Sequence, residues 1–177
     1  NSYKTPLREA AVLILLVYKQ NRLHIVLTRR TETLPSHQGQ VAFPGGKIDE
    51  GDKSPAHAAL REANEEIGAI PDKIELIGKL PLYQTATGFS ITPVVGIHQP
   101  PYIFSRAIGE VEEIFELPVD YMMDINSFKR DGLIYKGKTR KFWVLPFENY
   151  YIWGATAAIL RELSGRLNGE KLNQSMI

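Results

Sequence analysis

Three glutamates, Glu62, Glu65 and Glu66, follow Arg61 closely along the chain. In a helix, positions three and four apart are neighbours, so these carboxylates share one stripe. Like charges held together repel unless something positive sits between them. One reading is a solvated face with Arg61 and Lys53 as ion-pair partners. The other is a site for a hard cation, because Mg²⁺ and Mn²⁺ prefer carboxylate, carbonyl and water oxygens. The Gly45-Gly46 turn just upstream favours the second, since a main-chain carbonyl there can approach an ion with no side chain in the way.

The helix that carries these groups has clear ends. Ser54-Pro55 is a start signal: Ser caps an orphan N–H, and Pro at the first helical position needs none. Gly68, with Pro71 beyond it, is the matching stop. Ala56, Ala59, Leu60, Ala63 and Ile67 form an apolar stripe beside the acidic one.

The rest of the chain reads mainly as strands. Residues 10–18 are a nearly continuous aliphatic run and 24–29 a second β-rich segment, joined by a hairpin at 19–22. Residues 31–39, with Pro35, are a loop, and 40–43 a short strand feeding the Gly-Gly turn. Strands are expected at 74–82 and 89–98, the latter interrupted by Pro93, with a loop over 83–88. A second acidic cluster at 110–118 precedes a short helix within 119–128, a hairpin around 136–138 and a helix from 153 to 167. The pattern predicts one domain spanning 1–177, of α/β class, with mixed strands and a main helix on each side of a sheet.

Composition narrows the function classes. The 177 residues suit one buried core. A net charge of +1, from 21 basic and 20 acidic residues, gives no electrostatic case for nucleic-acid or membrane-surface binding. The absence of cysteine excludes disulfides, zinc-thiolate sites and thiol catalysis, and is compatible with a cytoplasmic location. No apolar run has the length of a membrane span. The chain begins at Asn1 rather than Met, so it reads as trimmed, and a removed leader stays open. Phosphate-binding P-loop, EF-hand, H-E-x-x-H and G-x-S-x-G patterns are all missing.

Residues 46–69 resemble the Nudix box, G-x5-E-x7-R-E-U-x-E-E-x-G-U with U aliphatic. Arg61-Glu62-Ala63-Asn64-Glu65-Glu66-Ile67-Gly68-Ala69 fits its second half. In the first half Asp52 replaces Glu, and eight residues rather than seven separate it from Arg61. That expansion is similar to the coenzyme A diphosphatase branch of the family. A second signature of that branch, roughly L-L-T-x-R-S-x3-R-x3-G-x3-F-P-G-G, is matched by Leu27, Thr28, Arg30, Gly39 and Phe43-Pro44-Gly45-Gly46. Val26 replaces its first Leu, Thr31 its Ser, and Pro35 its second Arg. Residues 110–118 and 152–157 also look like this branch.

The resemblance implies a Nudix-type α/β/α sandwich with a mixed β-sheet between helices. It implies hydrolysis of a nucleoside diphosphate linkage with Mg²⁺ or Mn²⁺, on coenzyme A or its thioesters. Glu62, Glu65 and Glu66 would hold the cations with a carbonyl of Gly45 or Gly46. Arg61 would orient the carboxylates, and Glu62, Glu65 or an outlying Glu110 would act as base. Arg30, Gly39 and His37 would bind substrate, with His37 standing in for the cation lost at Pro35. Asp52 is expected to act through the positive end of the helix rather than as a ligand. The partner is a small nucleotide substrate, and oligomeric state, a homodimer included, is left open. Two alternatives remain: another substrate on the same fold (ADP-ribose, a dinucleotide or an oxidised nucleotide), or a nucleotide-binding module without catalysis. The intact acidic cluster argues against the module.

Overall fold

The aliphatic run near the start forms β1 (Arg8–Lys19), and the main sheet is laid out from it. In this computed structural model, which describes residues 6–33, 39–135 and 137–170, β1 pairs antiparallel with β2 (Arg22–Arg30), in a register ending at Lys19 opposite Arg22. Gln20 and Asn21 between them both have positive φ (51° and 58°), as a two-residue hairpin that follows the strand twist requires. Beyond Leu15 and Val26 the two strands separate. The gap takes β3 (Val41–Ala42), paired with β2, and β4 (Gly45–Lys47), paired with β1. The Gly-Gly turn is thereby inserted into the sheet.

Helix α1 (Pro55–Ile67) follows at once. Next come β5 (Ile74–Lys79), β6 (Tyr83–Gln84) and β7 (Phe89–His98), which runs parallel to β1 and makes the sheet mixed. Strand β8 (Val111–Pro118) covers the free edge of β2. A short helix, α2 (Val119–Met123), leads to a separate three-stranded sheet of β9 (Lys129–Tyr135), β10 (Lys138–Phe147) and β11 (Tyr150–Trp153). Helix α3 (Gly154–Leu167) ends the described chain, and the strand order of the small sheet is β11-β10-β9.

Alternation along β1 builds two cores. Ala11, Leu13, Leu15 and Val17 face Ala58, Ala59, Ala63 and Ile67 of α1. Ile14, with Ile25 and Leu27 of β2, faces the other way, toward Leu145, Ile152 and the buried side of α3. Each strand therefore contributes to both layers, and α1 and α3 lie on opposite faces of the main sheet. This is the expected α/β/α sandwich. Among the described residues no helix is long and apolar enough to cross a membrane.

Two local expectations need correction. Pro93 does not interrupt β7, which continues from Phe89 to His98 with Pro93 opposite Val12. The Pro93 carbonyl accepts from Leu80 N (2.9 Å), so its ring nitrogen also lies on the edge where the neighbour changes from β6 to β5. A missing N–H is tolerated at such a gap. The expected loop at 83–88 begins with a strand, since Tyr83 and Gln84 pair with Ile91 and Ser90.

Candidate active site

The ends of α1 are fixed as their residue types require. Ser54 Oγ accepts from His57 N at 3.1 Å, Pro55 starts the helix, and Gly68 closes it in the left-handed conformation at φ 68°. The carboxylates occupy three environments along this one helix. Glu65 is more than half exposed, Glu62 is largely covered, and Glu66 is buried at 8% exposure. Burial raises the pKa of Glu62, and the adjacent Arg61 pulls it back only in part. For Glu66 burial dominates, with repulsion from Glu62 and Glu110 added, and its pKa is pushed up to about 8. The Gly45 amide and the charge of Arg30 oppose that rise.

Arg61 is the hub of the acidic face. Its Nε and Nη2 donate to the two oxygens of Asp52 at 3.0 and 2.9 Å, a bidentate pair. Its Nη1 donates to Glu62 at 3.0 Å and to Glu65 at 3.3 Å, and its Nη2 also reaches the Lys47 carbonyl at 3.2 Å. The Asp52 carboxylate is shielded, with its side chain 1% exposed, and also accepts from Asp49 N and His57 Nδ1, both at 2.9 Å. Arg61 above all holds its carboxyl well below the usual carboxylate range. The expectation for Asp52 is thus corrected in route: Ser54 caps the helix, whereas Asp52 anchors the arginine.

Both glycines are points of close approach. A Cβ on Gly46 would lie 2.6 Å from the Glu62 carboxyl group. One on Gly45 would meet the Ala11 carbonyl at 2.4 Å and Val12 Cα at 2.7 Å, because β4 lies hard against β1. The turn therefore brings bare backbone to the acidic helix.

Hard oxygen donors are all present for Mg²⁺ or Mn²⁺, and the buried Glu66 beside Glu62 is a pair that a cation would relieve. Among the described residues, however, no three acidic or histidine side chains converge into a finished cage. Water and substrate phosphate would therefore have to complete the shell of a Mg²⁺ held here. The donor set fits on these grounds.

Beside the acidic helix lies a cleft of about 560 Å³, lined by Arg29, Arg30, Thr31 and Gly39 on one part of the chain. Arg106 and Ile108 come from the segment leading into β8, and Glu112 from β8 itself. Arg30 and Gly39 thus meet in one cleft, and the charge of Arg30 also reaches Glu66. Glu110, exposed at the start of β8, is close enough to raise the Glu66 pKa. His37 lies outside the described residues. Arg106 had no signal in the sequence, because only the fold brings residue 106 next to residue 30.

The layered fold is shared with solved structures. An Ap4A hydrolase of C. elegans superposes with a TM-score of 0.59 at 17% identity, covering 92% of this chain and 99% of that one. A MutT protein of Methanosarcina mazei gives 0.59 at 17% identity, covering 96% and 100%. At the sequence level the NUDIX domain pattern matches residues 7–134. An uncharacterized Nudix hydrolase, NudL, of Citrobacter koseri is 41% identical over 157 residues, covering 89% of this chain and 81% of its own. Its counterpart in Escherichia coli K12 is 40% identical over 157 residues, with the same coverage. The chain belongs to the Nudix hydrolase family.

Proposed function

We propose that this protein hydrolyses a nucleoside-linked diphosphate, with coenzyme A and acyl-coenzyme A as substrates. The products would be 3′,5′-ADP and 4′-phosphopantetheine or its acyl form. The observation that carries this reading is the position of Arg30, whose charge reaches the buried carboxylate of Glu66 while its side chain lines the neighbouring cleft. A nucleotide whose diphosphate lies at the acidic helix would place a further phosphate at Arg30 in the neighbouring cleft.

Glu62, Glu65 and Glu66 would hold Mg²⁺ or Mn²⁺, assisted by the carbonyl of Gly45 or Gly46. Bound there, the ion neutralises the diphosphate and makes water more acidic. Arg61 keeps Glu62 and Glu65 oriented through its charge-assisted hydrogen bonds. A carboxylate oxygen of Glu62, Glu65 or Glu110 accepts the proton of the attacking water. Arg30 and Gly39, with His37, receive the anionic end of the nucleotide. The signature across residues 26–46 supports coenzyme A over other diphosphates.

The test is a hydrolysis panel of coenzyme A, acetyl-coenzyme A, ADP-ribose, dinucleotides and oxidised nucleotides, with Mg²⁺ and with Mn²⁺, and identification of products. The reading predicts that coenzyme A or its thioester gives the highest kcat/KM and yields 3′,5′-ADP. A clear preference for ADP-ribose or a dinucleotide would overturn it.

A further inference from the structure

Three arginines line the cleft, and they are not equivalent. Arg29 is already matched: its Nη2 lies 3.1 Å from Glu113, whose other oxygen accepts from Tyr150 OH at 2.5 Å. The Tyr150 ring stacks on Phe115 with centroids 3.6 Å apart, so this group is locked into the wall. Arg30 shares with Arg29 a buried Nε that has no hydrogen-bond partner among the described residues, a costly state for a charged donor, and differs in that its charge reaches Glu66. Arg106 uses one of the five N–H donors of a guanidinium, from Nη1 to the Val111 carbonyl at 3.2 Å.

Arg106 is also held in place from both sides. Ser105 N donates to the Ile67 carbonyl at 3.0 Å and Ala107 N to the Glu66 carbonyl at 2.8 Å, which fastens the segment to the last turn of α1. Thr31 then clamps the same segment to the end of β2, its N donating to the Glu110 carbonyl (3.1 Å) and its Oγ1 to the Gly109 carbonyl (3.0 Å). The position of Arg106 is therefore tied to the helix that carries the acidic groups and to the strand that carries Arg30.

We propose that Arg106 is a specificity-determining residue that, with Arg30, holds a phosphate of the substrate lying beyond the scissile diphosphate. It supplies from the segment before β8 the second cation that Pro35 omits from the upstream signature. Glu32 and Glu112 line the same cleft, so its net field is small. Recognition then depends on directed guanidinium donors, which suit phosphate oxygens, rather than on long-range attraction. This inference rests on the diphosphate reading above, and binding can test it separately from turnover.

The experiment is calorimetric titration of 3′,5′-ADP and of 5′-AMP into the full chain with Mg²⁺, in the parent, Arg106→Ala and Arg106→Glu. Arg166→Ala, on an exposed part of α3, is the control. One charge-assisted contact corresponds to about ten- to a hundredfold in affinity. The parent should bind 3′,5′-ADP tighter than 5′-AMP by that factor, Arg106→Ala should remove most of the gap, and Arg106→Glu should abolish or reverse it. A gap absent from the parent, a gap unchanged in Arg106→Ala, or no detectable binding of 3′,5′-ADP would overturn the inference. If the gap depends on Arg106 but coenzyme A is not cleaved, the proposed substrate fails and this site stands. If coenzyme A is cleaved and the gap ignores Arg106, the reverse holds.

Discussion

Arg61 contacts Glu62 and Glu65 of the acidic helix, Arg30 acts through its charge on Glu66 of the same helix, and the two arginines are in different states. Arg61 donates to Asp52, Glu62, Glu65 and the Lys47 carbonyl, so its fork is filled by the protein. Arg30 borders an open cleft with a buried Nε that no described residue satisfies. The difference separates two uses of one side chain. A guanidinium saturated by its own fold fixes the shape of its neighbours, while one that lines a cleft is placed to recognise a ligand.

The largest expected effect comes from the groups between the two arginines. Glu66→Gln and Glu62→Gln keep size and remove charge, and each should cut turnover by about 10²-fold or more at saturating metal. Thermal melting of the metal-free protein at neutral pH should not fall in Glu66→Gln, because burial pushes the Glu66 pKa up to about 8 and a neutral amide then replaces a largely neutral acid. Activity within a few-fold of the parent would remove these residues from the mechanism.

Next is the anchor of Arg61. Asp52→Asn takes away the charge that pins the guanidinium, yet leaves the ligands in place, so the loss of turnover should be milder, roughly tenfold. Losses equal to those of Glu66→Gln would show that Asp52 is itself a ligand. The pair also makes a pH prediction. Asp52 binds its proton less readily in the fold than in the unfolded chain, since Arg61 holds the ionised form. Its stabilisation is therefore complete above the ordinary value of 3.8 and is lost as pH falls below it. The difference in Tm between parent and Asp52→Asn should stay level at neutral pH and shrink in acid. A difference that does not change on acidification would break the link to Arg61.

The two glycines give a smaller contrast, in stability against activity. At Gly45 the new Cβ meets backbone of β1, which cannot give way, so Gly45→Ala should cost about 1–3 kcal/mol in denaturant unfolding. At Gly46 it meets only the end of the Glu62 side chain. Gly46→Ala should unfold much like the parent while losing turnover, because Glu62 must move. Equal destabilisation in both would show that the turn matters only for packing. Smallest of all, Arg166→Ala removes an exposed pair with Glu162 and should change stability by less than about 0.5 kcal/mol.

What could be read from the sequence was the local chemistry. Ser54, Pro55 and Gly68 set the helix ends through their own backbones, and the hairpin at residues 20–21 is likewise a two-residue matter. The acidic stripe followed from helical spacing alone. What escaped depends on partners far along the chain. The role of Asp52 needs the Lys47–Ser54 turn folded back on Arg61, and Arg106 needs both the end of α1 and the end of β2. Pro93 reads as a strand breaker until the gap between β5 and β6 shows that no donor is wanted there. The 110–118 cluster reads as acidic, yet its Val111, Phe115 and Leu117 are buried against the sheet.

The central distinction, an arginine filled by the fold against one that lines the cleft, is tested most directly by kcat/KM for coenzyme A, its 3′-dephospho form and ADP-ribose in Arg30→Ala and Arg61→Ala. Loss of Arg61 should lower all three alike, since it disturbs the carboxylates that every diphosphate needs. Loss of Arg30 should lower coenzyme A by about ten- to a hundredfold more than the other two. If Arg30→Ala lowers all three equally, or the parent prefers ADP-ribose, the account of this cleft is contradicted.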